Sequence, residues 1–276
     1  MTLQIDRVPP KGKARGAVVC LHAMMTDGRY FGAGRPRSFV AALAEAGLDV
    51  YVADFRGHGR SVPPHAGDDD WSFDDLVERD LPAIIHTISA CACVKPSELA
   101  IVGHSLGGLV ASAALGTGRI PQPRVLVLGA TSVWLLGPDG PLARRALMTA
   151  YRGVTALFGK APIRGLRIGS ADEARTYVGQ LTGWTRTARW TSLSGTDYLA
   201  GLGTITAPTF AFVGAKDWMC RPSDARGFAG RIPSATPVRV VGRAHGDRLD
   251  PDHFQLFTRP ELTALRGELV QHLLGN

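Results

Sequence analysis

Leu99-Ala100-Ile101-Val102-Gly103-His104-Ser105-Leu106-Gly107-Gly108 decides the fold. Leu99 to Val102 is apolar without interruption, as in a strand buried on both faces. Gly-x-Ser-x-Gly follows at once, and a small-residue helical stretch, Leu106 to Leu115, follows that. A serine raised above a sheet edge sits on a very tight strand-to-helix turn. Gly103 and Gly107 remove the side chains that would collide across it. The helix then aims its free N–H groups and positive dipole end at the same point. Ser105 is therefore the expected attacking residue.

Outward from this stretch, short apolar runs alternate with helical patterns. Ala17 to Leu21, Val50 to Ala53 and Val125 to Leu128 read as strands, and Ser38 to Gly47 as a helix capped by Ser38 and stopped by Gly47. Phe73 to Ser89 reads as helix, with Pro82 forcing a kink or a break. Beyond the middle third the alternation resumes. Thr209 to Val213 and Val238 to Val241 are strands, Ser223 to Arg231 is a helix, and Pro260 to Leu274 is a closing helix with Pro260 in its first turn. Such alternation implies an α/β fold with a mostly parallel central sheet and helices on both faces. From Trp134 to about Gly203 no good strand occurs, and Arg, Leu, Ala and Trp dominate. The expected organisation is a core of residues 1–133 and 204–276 interrupted by a helical insertion at 134–203.

A serine hydroxyl is a poor nucleophile at neutral pH and needs a base, which in turn needs an orienting acid. With this turn on an α/β sheet, the acid follows the serine in the chain and the histidine follows the acid. Asp217 lies just past the apolar strand ending at Val213, at the carboxyl end where such sheets build their sites. Two histidines, His245 and His253, follow the last strand, and the residues alone leave both open. An oxyanion hole needs two N–H donors. Leu106, directly after the nucleophile, supplies one; Met24, in the turn Leu21-His22-Ala23-Met24-Met25, supplies the other because small Ala23 keeps that turn compact. His22 reads as a buttress of this loop.

Together these residues resemble the α/β-hydrolase superfamily over nearly the whole chain. Gly103-His104-Ser105-Leu106-Gly107 matches its nucleophile motif, and Asp54-Phe55-Arg56-Gly57-His58-Gly59-Arg60-Ser61 is similar to its Asp-x-Arg-Gly-His-Gly-x-Ser turn, in which His58 is structural. Ala23 departs from the glycine usual there. Asp250-Pro251-Asp252-His253 resembles a bacterial lipase- or esterase-like subgroup with an Asp-x-x-His loop, and that resemblance implies His253 as the base. It also implies no organic cofactor and no metal. It implies that 134–203 is a cap roofing the site, with Trp184, Trp190 and Tyr198 available to line the substrate pocket. The implied activity is serine hydrolysis of a carboxylic ester or thioester through an acyl-enzyme. An acyltransferase with the same triad, and a non-catalytic ligand-binding protein on this fold, are the alternatives.

Composition narrows the partners. The 276 residues are 45% hydrophobic and 20% charged, with net charge +7, a normal globular balance. No basic stripe carries a nucleic-acid-binding motif. Between 141 and 200 there are nine basic residues against three acids, which points to solvated helix faces or to weak contact with an anionic membrane surface. The start lacks the apolar run of a signal peptide, and no stretch reaches the roughly 18 apolar residues of a membrane span. A cytoplasmic location with four reduced cysteines is expected. A small-molecule acyl substrate is the expected partner; acyl length and oligomeric state are not set by this pattern.

Overall fold

The computed structural model describes residues 2–61 and 70–275. Its first half runs β1 (Ile5–Val8), β2 (Gly16–Leu21), α1 (Phe39–Glu45), β3 (Leu48–Ala53), α2 (Phe73–Asp75), α3 (Leu81–Ala92), β4 (Ala100–His104), α4 (Leu106–Gly116) and β5 (Val125–Gly129). Then come α5 (Leu142–Phe158), β6 (Lys160–Ala161), β7 (Glu173–Ala174), α6 (Arg175–Thr187) and α7 (Tyr198–Gly201). The chain closes with β8 (Thr209–Gly214), α8 (Pro222–Ala229), β9 (Arg239–Val241), α9 (Gln255–Thr258) and α10 (Thr263–Leu274).

Seven strands form one sheet in the order β1-β3-β2-β4-β5-β8-β9. Only β1, at the edge, pairs antiparallel; the other pairings within this sheet are parallel. Alternate residues of each strand feed opposite faces. On β2, Val19 and Leu21 enter the core under α3 and α4, while Val18 and Cys20 enter the core under α1 and α10. Burial on both faces explains the uninterrupted apolar runs. The parallel register also brings the carboxyl ends of β2, β4, β5 and β8 to one edge, with Leu21 beside Gly103, His104 beside Gly129 and Gly129 beside Phe212. Loops leaving that edge can therefore meet.

Three expectations are corrected. Pro82 neither breaks nor ends its helix: a π-helical turn, Leu76–Asp80, precedes it, and Leu81 N–H bonds back to Leu76 O. Widening the turn accommodates a residue that lacks an N–H and crowds the preceding carbonyls. Pro260 lies outside the closing helix, which starts at Thr263. Finally, the stretch 134–203, read as lacking strands, holds a two-residue antiparallel pairing, β6 with β7, too short to show any periodicity in sequence. Among the described residues no helix is long and apolar enough to cross a membrane.

Candidate active site

Ser105 sits between β4 and α4 at φ +51°, ψ −110°, a backbone conformation costly for a residue with a Cβ. Its surroundings hold it there. Ser105 N–H donates to Gly129 O at 2.9 Å, and Gly107 N–H donates to His22 O at 3.0 Å. The glycines of the motif answer to backbone contacts. A Cβ on Gly103 would lie 2.5 Å from Gly108 Cα, and one on Gly107 would lie 2.3 Å from Leu21 O. Both meet main chain, which cannot rotate aside.

Asp217 follows β8 and is buried. Its Oδ1 accepts from the N–H groups of Met219 (2.9 Å) and Cys220 (2.8 Å), which fixes the carboxylate plane. Its Oδ2 accepts from His253 Nδ1–H at 2.7 Å. A carboxylate can only accept, so Nδ1 carries a proton, and in the neutral ring the lone pair is then on Nε2. That Nε2 is buried and has no hydrogen-bond partner among the described residues. The approach of the His253 loop depends on Gly214, where a Cβ would lie 2.2 Å from Pro251 O. His245 instead occupies an exposed 3-10 turn, Arg243–His245, and makes no hydrogen bond to Asp217 among the described residues.

The Met24 amide is aimed by its own peptide plane. Ala23 O, the other end of that peptide, accepts from His22 Nδ1–H at 2.8 Å and from Thr26 Oγ1–H at 2.9 Å. In a planar trans peptide the N–H points opposite to the carbonyl. His22 Nε2 accepts from Phe55 N–H at 3.1 Å, so the ring is neutral with one defined tautomer. Burial and the neighbouring His58 hold its pKa down at about 3. His58 behaves oppositely. Burial works against its charge, but the Glu173 carboxylate and the Arg56 carbonyl raise its pKa above the ordinary histidine value. Leu106 N–H, at the first turn of α4, has no acceptor within its helix.

Ser105, His253, Met24 and Leu106 border one cavity of about 420 Å³. Its walls are mostly apolar, with Leu109 on the α4 side and Leu147, Met148, Tyr151 and Val154 on α5. Trp184 and Trp190, expected to line it, do not. Both are buried with Tyr198 around Phe73, and Trp184 Nε1–H is taken by Thr191 O at 2.7 Å. They pack the segment from α6 to α7 against Phe73 of α2. Tryptophans that do border the cavity are Trp134 and Trp218, which the sequence reading passed over. One signal was available: Leu147, Tyr151 and Val154 recur at helical spacing of four and three.

Several known proteins are similar to this chain. A pimeloyl-[acyl-carrier protein] methyl ester esterase of Xanthomonas campestris pv. campestris is 28% identical over 245 residues, covering 83% of this chain and 87% of the esterase. Lipase lipl-1 of Caenorhabditis elegans is 29% identical over 133 residues, 43% of this chain and only 32% of the lipase. Among solved structures, the esterase EaEST from Exiguobacterium antarcticum superposes with a TM-score of 0.65 at 18% identity, covering 98% of this chain and 95% of that one. At that identity the likeness speaks for the fold: a mostly parallel sheet wrapped by helices. The family model for serine aminopeptidase, S33, matches residues 12–244, from before β2 to just past β9. Since that span takes in the nucleophile turn and six of the seven sheet strands, the chain belongs to the serine aminopeptidase, S33, family of the α/β-hydrolase superfamily.

Proposed function

We propose that this chain is an ester hydrolase in which Ser105, His253 and Asp217 form the catalytic triad. The observation that carries the reading is the His253–Asp217 bond of 2.7 Å, which leaves a buried, unpartnered Nε2 on a ring that borders the same cavity as Ser105. His253 lies beyond the matched family span, so its role rests on this geometry. Ester cleavage is also what the names of the esterase and lipase relatives state for those proteins.

In the proposed mechanism His253 Nε2 takes the Ser105 Oγ proton as Oγ attacks the ester carbonyl carbon. Ser105 Oγ and His253 Nε2 are not hydrogen-bonded in this structure; such catalytic bonds commonly tighten only when substrate is bound. Asp217 holds the ring and stabilises its cation. The N–H groups of Met24 and Leu106 receive the developing oxyanion. The tetrahedral intermediate collapses, and His253 returns the proton to the departing alcohol. Water, deprotonated by the same Nε2, then attacks the acyl-enzyme carbonyl carbon; collapse breaks the bond to Ser105 Oγ, which regains the proton from Nε2, and the acid is released.

Apolar walls favour an alkyl or other uncharged acyl group, and residues 134–203 are proposed as the cap that shapes its pocket. Exposed Leu157, Phe158, Leu166 and Ile168, beside Arg164 and Arg167, support weak contact with an anionic membrane surface. Four unpaired cysteines, two of them exposed, fit a reducing compartment, and the cytoplasm is the proposed location. The test is turnover of p-nitrophenyl esters of increasing acyl length by the purified chain and by Ser105→Ala. The variant should be folded and inactive; a fully active Ser105→Ala ends the proposal.

A further inference from the structure

One carboxylate of the insertion reaches the loop that carries the Met24 donor. Glu173, on β7, is fully buried. Its Oε1 accepts from Met25 N–H and, at 3.3 Å, from His58 Nε2–H. The next peptide of the loop is held from the same side, since Met25 O accepts from the N–H groups of Ser170 (2.8 Å) and Ala171 (3.3 Å). Met25 itself sits at φ +62°, which a non-glycine residue keeps only where its surroundings impose it. Gly169 permits the close approach: a Cβ there would lie 2.3 Å from Met25 O. The contacts continue inward. The His58 ring lies 4.7 Å from the His22 ring, centroid to centroid, and His22 ties down Ala23 O.

Resting on the hydrolase reading above, we infer that Glu173 is a positioning residue of the oxyanion hole. It locks Met25 from the insertion side while His22 locks the Ala23–Met24 peptide from the sheet side. The Met24 N–H thus keeps its aim only while the segment from Gly169 to Glu173 is docked. A buried carboxylate is an expensive way to glue two layers together. Its placement one residue beyond the donor is what gives it a bearing on the reaction. Through it, seating of the insertion and readiness of the catalytic edge become one event.

The experiment uses the full chain and p-nitrophenyl acetate, whose acyl group is too short to depend on the α5 wall. Active serines are counted by fluorophosphonate labelling carried to completion. Glu173→Ala should lower kcat per labelled serine by about tenfold or more, the scale of a misdirected oxyanion donor, with KM within about twofold. Glu173→Gln keeps an oxygen for Met25 N–H and should restore most of that loss. Should Glu173→Ala fail to fold, Gly169→Ala displaces the segment without unpairing a charge, and the same fall in kcat per labelled serine is expected. Unchanged kcat per labelled serine, with any activity loss coming only from fewer labelled sites, overturns the inference and leaves Glu173 a purely structural residue. Wild-type protein that neither cleaves esters nor takes the label overturns the hydrolase reading and this inference with it, and is distinguishable from the previous result.

Discussion

Two helices border the same cavity and are built on opposite plans. In α4, every residue from Leu106 to Leu115 is buried. In α5, seventeen residues long, only Arg144 and Thr155 are buried, and Leu142 and Leu157 are more than three-quarters exposed. What fastens α5 is local. Arg144 pairs with Asp224 at 2.7 Å and lies 4.4 Å over the Trp134 ring, and the helix packs along α6. An element with so few buried groups opens or shifts at low free-energy cost, whereas moving α4 opens the core. Under the proposed mechanism the contrast separates two jobs: Ser105 and Leu106 stand at the start of the buried helix, and acyl selection falls to the exposed one.

The sharpest test of the buried wall is chemical. His253→Ala should cut kcat/KM for short esters by at least about 10³-fold, while His245→Ala should leave it near wild type. The reverse pattern in steady-state rates would move the base to the exposed turn. Next in size, Gly103→Ala should destabilise the fold by about 2–4 kcal/mol, because its Cβ meets main chain at 2.5 Å. Gly153→Ala on α5, with nothing within 4 Å, should instead stabilise by about 0.5–1 kcal/mol. Urea denaturation measures both, and equal signs would erase the comparison.

Acid should act on the buried wall. His22, neutral with its pKa near 3, is protonated in the unfolded chain below about 6.5, so the unfolded state binds the extra proton between those values. Stability therefore falls as pH drops through that window. Burial, with His253 alongside, lowers the His104 pKa as well, so that ring works in the same direction. His58 opposes them. Its raised pKa makes its contribution full below the ordinary histidine value and lost as pH rises through the native one. His104→Phe, keeping the stack on Tyr30, should flatten the dependence seen by urea denaturation at pH 7, 6 and 5. An unchanged slope would exonerate that ring. The smallest effect belongs to α5: Val154→Trp should raise KM severalfold for long-chain esters and leave acetate unaffected, a split read directly from chain-length profiles.

The nucleophile turn was legible because its requirement is local. A serine bent between strand and helix needs small neighbours, and those neighbours are adjacent in the chain. The parallel sheet was legible because burial on both faces prints continuous apolar runs. Asp217 followed from its place after such a run. Choosing between two histidines was different. Residues alone left His245 and His253 level and only the resemblance of the Asp-x-x-His loop chose His253; what brings that ring to Asp217 is the passage of Pro251 across Gly214, a contact between segments 37 residues apart. The pocket tryptophans failed for the same reason. Trp184 and Trp190 point where α6 and its following loop dock, around Phe73, and that docking is no property of their neighbours in sequence. The chain by itself determined each element whose physics closes within a few residues. Which distant side chains meet, including the grip of Glu173 on Met25, was decided only when the insertion and the sheet packed together, because contact between remote segments is fixed by the packed shape of the whole.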